Sequence, residues 1–324
     1  MFDVVAFGEL LIDFTPHELS GGGDFLFQRN AGGGVANASV AVAKLGKSTA
    51  FIGKVGADEF GVFLKDTLEE NKVDTKGLKF STEVNTTLAF VQLDKTGERK
   101  FSFYRNPGAD TTLLETEIDY NTISQGKVFH FSSLLLTNEP SRGATLAALK
   151  AAREGGLLIS YDPNLRPSLW KSLEEAREQI ISVLNYAHIL KISEEELEFI
   201  TGSSDIYEGI KLLKKYDISI VFVTLGAKGC IYNYKGGTGS IDAYNVHAID
   251  ATGAGDGFLG GILYKLCSST LMEIENLDKK EFEDIVSFGN AVGALVTTKK
   301  GGIPSMPTLE EVEEFIKVEN EKKM

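Results

Sequence analysis

Runs that are apolar on both faces constrain this chain more than any other feature. They fall at 4–8, 49–55, 128–133, 157–162, 188–192 and 219–224. A strand with one wet face alternates apolar and polar residues. Several of these runs do not alternate, so they read as strands covered on both sides. Between them the spacing turns helical. Val35, Ala38, Val42 and Leu45 mark a helix over 34–45, Ala144, Ala147, Ala148 and Ala151 share a face of 139–154, and Ile206, Ile210 and Leu213 share one in 205–216. Thr308-Leu309-Glu310-Glu311 opens a last helix with a capping-box pattern, and the tail 318–324 is expected to fray. Strand-then-helix order, repeated, predicts an α/β fold: a doubly wound, mostly parallel sheet flanked by helices.

Two stretches break that order. Residues 88–105 alternate as two strands around Asp94-Lys95-Thr96-Gly97, a hairpin with a turn glycine. Residues 10–31 carry no helical pattern and contain Gly21-Gly22-Gly23. Together, 10–31 and 85–107 are expected to form a small β-sheet lid over the ligand edge of the large sheet. No linker or repeat marks a second full domain, so 1–324 reads as one domain with that lid inserted. An open lid edge invites a partner lid, hence a homodimer.

The net charge of -13 argues against a nucleic-acid partner, which demands a basic surface. No apolar run approaches the roughly 18–20 residues of a membrane helix. The absence of a basic, apolar leader and the lack of a disulfide framework, with only Cys230 and Cys267, fit a cytoplasmic protein. The four histidines have no metal-ligand spacing, and His130 within an apolar run reads as structural.

The strongest local signal is Asp250-Ala251-Thr252-Gly253-Ala254-Gly255-Asp256. The helical stripe Phe258, Leu259, Ile262, Leu263 and Leu266 follows at once. The glycines therefore sit at a helix N-terminus, where unpaired N–H groups and the macrodipole favour an anion. An acid beside an anion site is electrostatically unwelcome unless it has work to do. Asp256 can accept the proton of an attacking hydroxyl, or it can simply complement the helix dipole. Gly255-Asp256-Gly257-Phe258-Leu259-Gly260 also fits GxGxxG, but it lies far down the chain with an acid in second place, against a dinucleotide fold. Gly46-Lys47-Ser48 imitates the end of a P-loop in the wrong helix-to-strand order, and Gly46 reads as a helix-ending glycine.

Four further places can meet a ligand. Gly32-Gly33-Gly34 opens a helix, a second place where backbone N–H groups are expected to meet a ligand, with Asn37 one turn in; that amide donates and accepts, which suits a sugar hydroxyl, or it is merely solvated. Asp162-Pro163-Asn164-Leu165-Arg166 ends a strand, where open α/β sheets bind ligands; Arg166 faces an anion there or belongs to an ordinary turn. Ser193 and Glu196 form an S-x-x-E cap, and Glu196 alternatively holds Mg²⁺, directly or through water. Arg105 follows two aromatics at strand spacing, and it either reaches into a cleft or lies on the surface.

Gly32-Gly33-Gly34 with Asn37, and the run Asp250 to Asp256, resemble the two signatures of the ribokinase/PfkB-type carbohydrate kinases. Asp13 resembles that family's sugar-hydroxyl ligand, and the likeness runs from residue 3 to about 307. Within the family the chain is most similar to fructokinases, through Phe103 to Asp110, Asp162 to Arg166 followed by Leu169-Trp170, and Lys191 to Phe199. The resemblance implies an ATP-dependent kinase making fructose 6-phosphate. It implies Asp256 as catalytic base, with the N–H groups of Gly253, Ala254 and Gly255 as an anion hole. Asp13, Gly33, Asn37, Arg105, Asn164 and Arg166 would line the sugar pocket, and Thr224, Gly226 and Asn290 would approach the nucleotide. Glu196 would help place Mg²⁺, and Asp250 with the backbone near Thr252 would suit a monovalent cation such as K⁺. The alternatives are a kinase of 2-keto-3-deoxygluconate or another sugar, and a relative that binds sugar without catalysis. The chain departs from many relatives at Ser193, where they carry Asn, and at Ala251, where they carry Thr.

Overall fold

The structure is a computed structural model that describes residues 1–18, 25–93 and 99–322. Among those residues, nine strands make the large sheet. Their spatial order is Gly237–Ile241, Cys230–Tyr234, Ile220–Thr224, Ile189–Ser193, Leu158–Asp162, Gly126–Ser132, Phe2–Phe7, Thr49–Gly56 and Val73–Ser81. All pairings are parallel except the two made by Cys230–Tyr234. The six expected strands are present and mostly buried along their length. Helices cover both faces, as the unbroken apolar runs require. Phe129, Phe131, Tyr161 and Ile192 belong to one apolar cluster, and Val4, Ile189 and Phe222 to the cluster that includes the helix Ala254–Leu266.

Three strands were not legible beforehand. Val73–Ser81 mixes Asp74, Lys76 and Gly77 into its run. The strands Cys230–Tyr234 and Gly237–Ile241 form a hairpin whose two turn residues, Lys235 and Gly236, both have positive φ. That is the primed turn that two-residue hairpins favour.

Phe2–Phe7 sits between Gly126–Ser132 and Thr49–Gly56, so the winding reverses beside it. The reversal opens a crevice at the strands' carboxyl ends. Glu9, Ser132, Asp162, Ser193 and Thr224 all lie at such ends.

The expected small sheet is also present. Its order is Phe25–Gly32, Leu11–Glu18, Leu88–Leu93, Arg99–Tyr104. The turn at 94–97 and the glycines 21–23 lie outside the described residues. Gly46 ends its helix as expected: with φ 101, its N–H and that of Lys47 reach back to Ala43 and Val42. The last helix has its capping box and runs on past 318, where the fraying tail was expected to begin, through Glu321. Lys322 pairs with Glu319 across its final turn, which supports that extension. Among the described residues, no helix is long and apolar enough to cross a membrane.

Candidate active site

The helix Ala254–Leu266 starts on Gly253, whose φ of 77 is left-handed and suits glycine, and no side chain caps it. Glycines further along serve packing. A Cβ on Gly260 would come 2.5 Å from that of Ala41, so Gly260 lets this helix lie against the helix Gly34–Lys44. The GxGxxG likeness therefore has a packing cause. Ala254 and Gly255, at the tip, border a cavity of about 430 Å³. The Ala254 N–H donates to the Ala251 carbonyl at 3.2 Å, closing the turn before the helix, which corrects its expected place in the anion hole. Thr224, Gly226 and Asn290 border it too, so the three residues expected near a nucleotide are brought together. The Asn290 amide donates to the carbonyls of Ile241 and Asp242, 3.1 Å each, and so anchors the strand end leading into the cavity wall.

Asp256 lies in the first turn of this helix. Its Oδ2 accepts a 2.8 Å hydrogen bond from Asn37 Nδ2. Burial and the nearby Asp162 raise its pKa to about 6, against the pull of Lys191, Asn37 and Arg166. That leaves a carboxylate basic enough to take a proton near neutral pH. Asn37 Oδ1 is buried and has no hydrogen-bond partner among the described residues.

Lys191 was not singled out from the sequence. Its Nζ pairs with Asp162 Oδ2 at 2.8 Å, and both residues are buried. A Cβ on Gly255 would stand 2.9 Å from that Nζ, so the ammonium presses on the helix tip. Burial works against its charge, but Asp162, Glu196 and Asp256 outweigh that and raise its pKa. The signal was available: one lysine inside an otherwise apolar strand, on the face turned toward the Ala254 helix.

The other expected residues gather around the helix Gly34–Lys44. A Cβ on Gly32 would strike the Asp13 carboxylate; one on Gly34 would strike the Asn164 amide and lie 3.4 Å from Asp256 Oδ1. Asn164 itself holds a left-handed φ of 50. Gly33, with φ 116, presses on the Glu9 carbonyl. Arg166 is near enough to lower the Asp256 pKa. The Gly34 amide is not open to a ligand, because it donates to Glu9 Oε1 at 2.7 Å. The expectation that this tip offers its N–H groups is corrected there.

Arg105 is buried, which corrects the surface reading. Its guanidinium meets Asp110 Oδ2 at 2.6 Å and donates to Thr137 Oγ1 and the Leu134 carbonyl. His130 is buried with Nδ1 3.2 Å from Ser160 Oγ, and burial lowers its pKa to about 4; it is structural, as expected.

Glu196 completes the expected capping box with Ser193. Its Oε2 accepts from the Ser193 N–H and its Oε1 from the Leu165 N–H, at 2.9 and 2.7 Å. Asp250 accepts from the N–H groups of Thr252 and Gly301, joining the glycine loop to the segment before the last helix. Among the described residues, no group of three or more His, Cys, Asp or Glu is arranged to hold a metal.

A family model described as pfkB family carbohydrate kinase matches residues 1–309. The chain belongs to the pfkB family of carbohydrate kinases. Fructokinase-1 of Oryza sativa subsp. japonica is 45% identical to it over 314 residues, 95% of this chain and 96% of that protein. The fructokinase of Xylella fastidiosa with bound ATP superposes with a TM-score of 0.90 at 31% identity, covering 99% of this chain and 100% of that one. A double mutant of the Vibrio cholerae O395 fructokinase, in its fructose-, ADP- and potassium-bound form, gives 0.88 at 35% identity over 96% and 97%. This pfkB member is therefore an ATP-dependent carbohydrate kinase with a ribokinase-like fold.

Proposed function

We propose that the enzyme phosphorylates fructose to fructose 6-phosphate. Asp256 carries the reading: a carboxylate with pKa raised to about 6, in the first turn of a helix that no side chain caps and whose tip residues Ala254 and Gly255 border the 430 Å³ cavity. ATP enters that cavity with its base near Thr224, Gly226 and Asn290. Its phosphates extend toward the N–H groups of Gly253 and Gly255, with the Lys191 ammonium alongside.

Fructose lies against Asp13, Gly33, Asn37, Asn164 and Arg166, with Arg105 closing the buried end of the pocket. The Asn37 Oδ1 supports this, since an unpaired buried acceptor costs about 1–3 kcal/mol and a sugar hydroxyl supplies its donor. Asp256 takes the proton of the attacking hydroxyl as that oxygen bonds to the γ-phosphorus and the bond to ADP breaks. The small sheet closes as a lid and keeps water from competing. Arg105 is already committed to Asp110, which removes one of two cations that would welcome an acid sugar.

Among the described residues, the side chains do not form a dedicated Mg²⁺ cage. Both Glu196 oxygens are taken by N–H groups, so Mg²⁺ would arrive with the nucleotide, neutralising phosphate charge, and Glu196 would reach it through water. Asp250 and the backbone near Thr252 would hold K⁺. The protein acts in the cytoplasm, as a homodimer joined through its small sheets, where Leu26, Phe27 and Tyr104 are exposed. A coupled ADP-release assay over a sugar panel tests the substrate. Fructose should lead, and a stronger response to 2-keto-3-deoxygluconate or ribose would overturn the assignment.

A further inference from the structure

Glu9 is fully buried, yet neither sugar nor nucleotide has a claim on it. It stands at the reversal of the winding, just past the strand Phe2–Phe7. Its Oε1 accepts from the Gly34 N–H at 2.7 Å, and its Oε2 accepts from Ser132 Oγ at 2.8 Å. One carboxyl group thus joins three segments: the crossing into the small sheet, the first residue of the helix Gly34–Lys44, and the end of the strand Gly126–Ser132.

That helix has no cap of its own. Gly33 offers no side chain, and its first turn carries no acid. Buried carboxyl groups are costly, and neither the Gly34 N–H nor the Ser132 hydroxyl that donates to this one is a cation. Burial raises the Glu9 pKa, and Asp110 adds to the rise, while the two donors resist it. A residue this expensive needs a reason, and the helix it caps supplies one. One turn in, Asn37 donates to Asp256. At the first turn, Gly34 abuts both Asn164 and Asp256.

We infer that Glu9 is a positioning residue for phosphoryl transfer, clamping the start of the Gly34 helix so that Asn37 keeps its hydrogen bond to Asp256. It touches no reactant and acts through that helix. The inference rests on the reading of Asp256 as base, but its primary readout does not.

The test compares Glu9→Ala, Glu9→Gln and Ser132→Ala with the unaltered chain. Gln keeps both contacts, accepting from Gly34 and donating to Ser132. The titration of the Asp256 carboxyl carbon is followed by ¹³C NMR in the ligand-free enzyme, with kcat and the two KM values measured in parallel. In Glu9→Ala the loosened Asn37 contact should move the Asp256 midpoint upward by about half a unit or more, since a hydrogen bond to the ionised form is lost. Asp162, Lys191 and Arg166, which also act on Asp256, are unchanged.

kcat should fall at least tenfold in Glu9→Ala, with the KM for ATP within twofold. Glu9→Gln should restore both midpoint and kcat. Ser132→Ala should shift the midpoint in the same direction by less, and it carries the test if Glu9→Ala does not fold. An unmoved midpoint in the folded variants, or a loss confined to the KM for ATP, overturns the inference. Asp256→Asn, assayed alongside, reports separately on the base: if it turns over normally the base reading fails, while the midpoint shift still decides the role of Glu9.

Discussion

The helices Gly34–Lys44 and Ala254–Leu266 are both preceded by a glycine with positive φ, and they pack against each other. Their tips are nevertheless unlike. Glu9 brings a carboxyl to the first amide of the Gly34 helix, whereas no side chain caps the Ala254 helix, whose tip borders the cavity. Glycines at a helix start supply room and reachable amides, but a residue far away in sequence decides whether those amides stay available. The closed tip suits neutral sugar hydroxyls, and the open one suits phosphate.

The largest effect should come from the acid at the open tip. Asp256→Asn should lower kcat by at least about 10²–10⁴-fold, the range of a general base, while calorimetry still detects fructose binding. Near-normal turnover would remove the functional distinction between the tips. Next is the cation beside that tip. Lys191→Met strands Asp162 in a buried site, and breaking a buried pair costs about 3–5 kcal/mol, readable as a lowered denaturant midpoint. A matched pair of glycine changes sharpens the contrast. Gly34→Ala drives a methyl into the Asn164 amide and should raise the KM for fructose about tenfold. Gly253→Ala forces a left-handed residue at the phosphate tip, a strain of roughly 1–2 kcal/mol, and should act on kcat and the KM for ATP instead.

The smallest expected effect is on pH dependence. With the Asp256 pKa near 6, kcat/KM should decline as pH falls through about 6, because the base becomes protonated. The same raised pKa means that ionising Asp256 costs folded stability. Asp256→Asn should therefore melt higher than the unaltered chain at pH 8. The gain should shrink between about pH 6 and 4 and vanish below, where the unfolded chain is protonated as well. Thermal melts across that range check the sign.

Much of the framework was legible because local pattern and fold agreed. Unbroken apolar runs gave the covered parallel strands, and Asp250 to Asp256 announced a glycine-led helix start with an acid in its first turn, because those residues are neighbours in sequence. Glu9 and Lys191 were not legible, because their meaning is tertiary. Glu9 meets Gly34 across 25 positions and Ser132 across 123. Lys191 meets Asp162 only through the pairing of two parallel strands. Arg105 shows the converse, since the surface or cleft offered by its strand spacing gave no hint of Asp110, five residues on, as its buried partner. Val73–Ser81 was missed because charged residues and a glycine dilute its pattern.

The contrast between the tips is tested most directly by a crystal structure of the enzyme with fructose and a non-hydrolysable ATP analogue. The account predicts terminal phosphate oxygens within roughly 3 Å of the N–H groups of Gly253 or Gly255, hydrogen-bonding distance, with Gly34 still bound to Glu9 and only sugar beside it. Phosphate at the Gly34 tip, or phosphates remote from the Ala254 helix, would contradict it.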